Sequence, residues 1–182
     1  MQSKSALQKL IQERAVVRPS QPITLASGKT ASIYIDGKQV TLYGPALVLF
    51  AEQILKAIET QQVTAVGGPT MGADSIAAAV AVCAEKQKKI ALKIVLVRKA
   101  QKAHGLQKQV EGPALTKEDR VLVVEDVITT GGSVLEAIEA IEKTGAKVVR
   151  VISLVDRGAG GKEKLGKHNY TPLFEWSEIV ES

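Results

Sequence analysis

Apolar positions divide the chain into a short helical opening, an extended stretch and a regular second half. Leu7, Leu10 and Ile11 recur at helical spacing. Residues 25–38 read as extended or hairpin-like, with Ser27-Gly28 as punctuation. Behind Pro45, which suits a first helical turn, Leu47, Phe50, Ala51, Ile54 and Ile58 predict a helix over 44–59. A clear rhythm follows. Residues 63–67 form a short apolar strand running into Gly-Gly-Pro, 74–85 an Ala-rich helix and 90–97 a strand. Residues 99–117 are a polar loop with Gly105, Gly112 and Pro113. The run 121–124 is all Val and Leu, the pattern of a strand buried on both faces. A helix over 132–144 points Val134, Leu135, Ile138 and Ile141 inward, with Gly145 as its stop, and 148–155 is another strand. Alternating strands and helices predict an α/β fold, a mostly parallel sheet flanked by helices. Such sheets bind ligands at the carboxyl ends of their strands. The last twenty residues carry no comparable pattern.

Composition narrows the setting. A chain of 182 residues suits one domain, and 3% aromatics leaves small aliphatics to fill its core. The net charge is +5, with basic residues gathered between Lys86 and Lys108. A solvated basic face and a site for a small polyanion both account for that. No aromatic platform interleaves with the lysines, and no zinc or helix-turn-helix pattern appears, so no nucleic-acid partner is expected. The lone Cys83 has no intrachain partner and lies in an apolar run, as a small core residue in a reducing compartment would. The first nine residues are polar and lack a signal core, and the longest apolar runs fall far short of a membrane span. The expected location is the cytoplasm, with no membrane partner.

The most informative segment is 121–133, Val-Leu-Val-Val-Glu-Asp-Val-Ile-Thr-Thr-Gly-Gly-Ser. A buried strand is expected to end at Glu125 and Asp126, and a turn then opens a helix. Thr129, Thr130 and Ser133 offer hydroxyls, while Gly131 and Gly132 let backbone N–H groups approach an anion. The helix N-terminus adds partial positive charge. No Gly-Lys-Ser/Thr follows, so this is not a Walker loop, and Gly-x-Gly-x-x-Gly is absent. Two carboxylates beside a monophosphate cradle would repel a second phosphate, but they suit the 2′- and 3′-hydroxyls of a ribose. A ribose 5-phosphate is the ligand this pattern describes. A Gly-rich turn beside an incidental acidic pair would account for Thr-Gly-Gly alone, though poorly for the whole string.

That stretch resembles the PRPP-binding signature of the type I phosphoribosyltransferases. The resemblance implies their fold: a central, mostly parallel sheet flanked by helices, with a small N-terminal hood and a mobile catalytic loop. It places Glu125 and Asp126 on the ribose hydroxyls and Thr129, Thr130, Gly131, Gly132 and Ser133 around the 5′-phosphate, with Val127 and Ile128 also in the PRPP site.

Three further segments resemble the orotate-specific members. Arg98-Lys99-Ala-Gln-Lys102-Ala-His104-Gly concentrates cationic donors, and in that family this loop closes over the neighbouring subunit's site. Lys102 matches the family's catalytic lysine, and His104, with an ordinary pKa of about 6.5, can donate a proton. Residues 25–36, Leu-Ala-Ser-Gly-Lys-Thr-Ala-Ser-Ile-Tyr-Ile-Asp, are similar to the segment that covers the base, so Ser27, Gly28, Lys29 and Tyr34 are implied in orotate binding. The family often has Ser-Pro-Tyr-Tyr where this chain has Ala-Ser-Ile-Tyr. Tyr34 has two roles open to it, stacking on the base or packing in a hairpin. Arg157, after the last strand, is implied to pair with the orotate carboxylate, which a planar guanidinium matches at two points. Thr129 is implied to touch both substrates.

One departure stands out. Many bacterial relatives place a lysine in Gly-Pro-x-x-Lys-Gly, where it meets pyrophosphate. Here the turn reads Gly-Pro-Thr70-Met71-Gly72-Ala-Asp74, leaving backbone N–H groups of 70–72 for that task. The resemblance spans about residues 20 to 160. It implies one domain over 1–182, with 1–40 as the base-covering segment and 61–156 as the PRPP-binding core. It further implies a homodimer with a shared catalytic loop, and Mg2+ carried by PRPP and pyrophosphate rather than by direct protein ligands. The expected catalytic residues are Lys102, His104 and Asp126, and the expected product is orotidine 5′-phosphate on the way to UMP. Two rivals remain at this point. One is a transferase for another base, such as a purine. The other is a non-catalytic PRPP sensor.

Overall fold

The aliphatic run at 121–124 lies at the centre of a six-stranded sheet. The computed structural model describes residues 2–24, 30–58, 62–99 and 109–180. The amino-terminal part holds α1 (Gln2–Arg14), β1 (Val16–Val17), β2 (Ile23–Thr24), β3 (Thr30–Ala31), β4 (Tyr34–Ile35), α2 (Lys38–Thr41) and α3 (Gly44–Ala57). Then come β5 (Ala65–Pro69), α4 (Gly72–Lys88), β6 (Lys93–Val97), β7 (Val110–Glu111), β8 (Arg120–Ile128), α5 (Gly132–Glu142) and β9 (Lys147–Asp156). The chain closes with α6 (Gly161–Leu165), a 3-10 turn (Gly166–His168), β10 (Tyr170–Glu175) and α7 (Trp176–Val180).

The sheet order is β10-β9-β8-β5-β6-β7, parallel throughout except for β7 against β6. Strand alternation feeds two cores. Leu122, Val124, Ile152 and Leu154 meet Leu7, Ile11, Phe50, Ile54, Ile76 and Val80 of α1, α3 and α4 on one face. Val121, Val123 and Val151 meet Val134, Ile138 and Ile141 of α5 on the other. Both faces are thus dry, which explains the unbroken apolar run. The amino-terminal elements build a hood from two short antiparallel pairs, β1 with β4 and β2 with β3, so the extended stretch pairs outward rather than with itself.

Several expected boundaries move. The strand foreseen at 121–124 continues to Ile128, because Glu125, Val127 and Ile128 pair with Ser153, Val155 and Asp156 of β9. The acidic pair therefore sits inside the strand, not at its end. The Ala-rich helix gains two residues at its start and three at its end, stopping at Lys89 in the left-handed region. Part of the expected loop 99–117 is the edge strand β7. The patternless tail supplies β10, whose alternation is interrupted by Pro172 and does not announce a strand.

Candidate functional site

The carboxyl ends of β5, β6 and β8 converge on two adjoining cavities. The smaller, of about 330 Å3, is wrapped by Glu125, Val127 and the turn Thr129–Ser133 at the head of α5. Gly131 takes φ +75°, the left-handed conformation that lets the chain turn back without a Cβ penalty, and helix α5 starts at the next residue. Thr129, Thr130 and Ser133 are exposed to the cavity side of the turn. Hydroxyls, a glycine turn and a helix N-terminus in one wall suit a monophosphate.

The larger cavity, of about 640 Å3, shares Glu125, Val127 and Ser133 with the first and adds Lys38, Thr70, Met71, Gly72, Asp74, Lys99 and Asp126. Both acids are buried. Glu125 Oε1 accepts the Asp126 N–H at 2.9 Å, and Asp126 Oδ1 accepts the Val127 N–H at 2.7 Å. Burial first, then the adjacent Asp126, pushes Glu125 well above the ordinary carboxylate range. Asp126 Oδ2 accepts from Lys38 Nζ at 3.3 Å. Burial draws the Lys38 ammonium down, but Asp126, with Asp36 behind it, lifts it further up, so it stays charged above the usual lysine range. Burial also raises Asp74, whose Oδ1 is buried with no hydrogen-bond partner among the described residues.

Gly72 is set by contact. A Cβ there would fall on Glu125 Oε1 and lie 2.9 Å from Asp126 Oδ1. No side chain fits at 72 while the acidic pair keeps its place. The Thr70–Met71 peptide is cis. The Thr70 N–H donates to Val97 O at 2.9 Å, so that amide belongs to the sheet. The expectation that backbone donors of 70–72 face an anion is thereby cut to Met71 and Gly72.

Other expected site residues are more dispersed. Lys99 lines the large cavity, whereas Arg98 pairs with Glu111 at 3.5 Å across β6 and β7 and lines neither large cavity. Arg157 donates its backbone N–H to Ile128 O at 2.8 Å, and its guanidinium lies 5.1 Å from the ring centroid of Trp176. The turn carrying it is anchored by the buried Asp156, which accepts from Gly158 N at 2.7 Å and Tyr170 Oη at 2.8 Å. Tyr34 is half-buried on β4 and lines neither cavity. Ser27, Gly28, Lys29, Lys102 and His104 lie outside the described residues. The sequence reading passed over Lys38, Asp74 and Trp176. Only the hood topology brings Lys38 to Asp126, and nothing in the spacing links Trp176 to Arg157. Among the described residues no group of three His, Cys, Asp or Glu side chains is placed to hold a metal ion. No helix among them is long and apolar enough to cross a membrane.

Residues 25–180 match the model of the phosphoribosyl transferase domain. The chain is 46% identical over 162 residues to an orotate phosphoribosyltransferase of Streptomyces avermitilis, covering 89% of this chain and 87% of the relative. Among solved structures it resembles the orotate phosphoribosyltransferase of Mycobacterium tuberculosis bound to Fe(III) dicitrate, with a TM-score of 0.83, 33% identity and coverage of 98% and 99% of the two chains. The M. tuberculosis enzyme bound to PRPP aligns with a TM-score of 0.79 at 30% identity, covering 97% of this chain and 98% of the other.

Proposed function

The chain belongs to the orotate phosphoribosyltransferases within the phosphoribosyl transferase domain family, and from that premise we propose that it transfers the ribose 5-phosphate of PRPP to N1 of orotate. The products are orotidine 5′-phosphate and pyrophosphate, a step of pyrimidine biosynthesis. One observation carries this reading onto the site: Glu125, with Val127 and Ser133, forms the wall shared between the hydroxyl- and glycine-lined cradle and a larger cavity that Asp126 also lines. A ribose fits there with its 5′-phosphate in Thr129–Ser133, its hydroxyls on Asp126 and Glu125, and its pyrophosphate over the turn 70–72.

The C1–O bond breaks first, leaving an oxocarbenium-like ribose, and N1 of orotate attacks from the opposite face. In this reading Asp126 accepts from the ribose hydroxyls and offsets the developing cation. Lys99, Lys102 and His104 face the leaving pyrophosphate, with Arg98 joining them on leaving Glu111. Arg157 pairs with the orotate carboxylate after leaving the face of Trp176, and Ser27, Gly28, Lys29 and Tyr34 cover the base from the hood. Residues 1–40 act as that cover and 61–156 as the PRPP-binding core of one domain.

The cavity also fits a magnesium ion that arrives with PRPP. The ion would be carried by the phosphate and ribose oxygens of PRPP and by waters rather than by direct protein ligands, with Asp126 on the cavity wall as an acceptor for its water shell. When bound, such an ion would supply positive charge against the departing pyrophosphate. A homodimer sharing the 98–105 loop and a cytoplasmic location complete the reading, both on the family's likeness.

The test is pyrophosphate release from PRPP and magnesium with orotate, uracil, adenine or hypoxanthine as acceptor. Turnover with orotate at least 100-fold above the others is expected, because a base lacking the carboxylate leaves Arg157 unmatched. Preference for a purine, or no turnover with any base, would overturn the proposal.

A further inference from the structure

We propose that Lys38 is a pyrophosphate-binding residue that rests on Asp126 and passes to the pyrophosphate when PRPP enters. The inference rests on reading the large cavity as the PRPP site. Two cations line that cavity among the described residues, Lys38 and Lys99. The turn beneath it supplies none. Gly72 has no room for a side chain against Glu125, Met71 is apolar, and the Thr70 amide is taken by Val97 O. Pyrophosphate lying on this turn therefore needs its charge matched from other segments.

Lys38 is built to do this. Its backbone is held close: Gly37 packs so tightly on β8 that a Cβ there would stand 2.8 Å from Val127 Cγ2 and 2.9 Å from Asp126 Oδ2. The stem is thus anchored at the rim, and the ammonium is the part free to move. Its side chain is 45% exposed while that of Asp126 is 8% exposed. An ammonium has three donors, and one is spent on Asp126 at 3.3 Å. The others face a cavity wide enough for two phosphates. Charge stays balanced through the exchange. Without substrate, Lys38 keeps a buried carboxylate paired, which avoids the cost of an isolated charge. With PRPP, ribose hydroxyls replace Lys38 on Asp126, and phosphate oxygens replace Asp126 on Lys38.

The decisive comparison uses two ligands that divide PRPP between them. Pyrophosphate has no ribose, and orotidine 5′-phosphate has no pyrophosphate. Both are titrated, with magnesium, into wild type, Lys38→Gln, Lys38→Arg and Asp126→Asn by calorimetry. Lys38→Gln is expected to weaken pyrophosphate about tenfold or more, the scale of one lost charged hydrogen bond, and to leave orotidine 5′-phosphate within about twofold. Lys38→Arg should restore pyrophosphate binding. Asp126→Asn should weaken orotidine 5′-phosphate and spare pyrophosphate. The opposite pattern, with Lys38→Gln loosening orotidine 5′-phosphate alone, would make Lys38 a holder of Asp126 and sink the proposal. Equal loss of both ligands with a lowered melting temperature, unrescued by arginine, would reduce it to a structural residue. If wild type bound neither ligand, the reading of the cavity itself would fail and take Lys38 with it.

Discussion

At the scale of single residues, two adjacent acids have been made unequal by their neighbours. Each accepts a backbone amide, but Asp126 also has a lysine, whereas Glu125 is buried beside another carboxylate. A raised folded-state pKa means that folding takes up a proton between the unfolded and the folded value. The stability this contributes is full below the ordinary glutamate value near 4.5 and is lost as pH rises towards the folded value. Glu125→Gln removes that slope. The stability difference between Glu125→Gln and wild type should therefore grow in the variant's favour from pH 4.5 towards neutrality. Urea titrations at several pH values measure it, and a difference independent of pH would contradict the assignment. Legibility at this scale was uneven. The acidic pair and Thr129–Ser133 stand in one string, so their chemistry can be read locally. Lys38 and Trp176 act on Asp126 and Arg157 from segments distant in the chain, and only the folded hood and tail bring them there.

At the scale of elements, the strands and helices between 44 and 156, β7 excepted, were legible because each carries one period and sits on a dry sheet face. Their ends were less so. Pairing with β9 extends β8 past its apolar run, since backbone ladders do not depend on side-chain polarity. The far edge of the sheet shows how the frame is held apart from the site. Just before β8, Asp119 accepts from Lys93 Nζ at 2.8 Å, Thr64 Oγ1 at 2.9 Å and Thr116 N at 2.7 Å, joining the starts of β6, β5 and β8. The Lys93 hydrogen bond leads the causes that hold its carboxyl down, at about 2. A depressed pKa contributes stability above the ordinary value of 3.8, lost as pH falls towards 2. Asp119→Asn should cost about 1–2 kcal/mol at pH 7, allowing for the partial exposure of Lys93. The deficit should shrink by pH 3 while kcat at pH 7 is unchanged. A deficit equal at both pH values would show that shape, not charge, holds this corner.

At the scale of the whole molecule, the described residues assemble the two adjoining cavities proposed to hold the ribose 5-phosphate and the pyrophosphate, while Lys102 and His104 lie outside those residues. The proposed homodimer makes this division a matter of subunits. If the loop of one chain serves the site of the other, each site draws Asp126 from one protomer and Lys102 from its partner. Lys102→Ala alone should lower turnover by about 100-fold or more, as removal of a preorganised donor does. Asp126→Asn should be comparably weak, because it loses the acceptor for the ribosyl group. Mixing the two variants in equal amounts and letting subunits exchange produces heterodimers as about half of all dimers. Each heterodimer then contains one site with both native residues and one with neither. Activity should recover to about a quarter of wild type, one intact site in two within half of the dimers. A loop that folded back over its own subunit would leave every site in the mixture with one lesion. Recovery would then stay at the level of the single variants, and a ribose gripped by one protomer beneath the cations of another would be the wrong description of this enzyme.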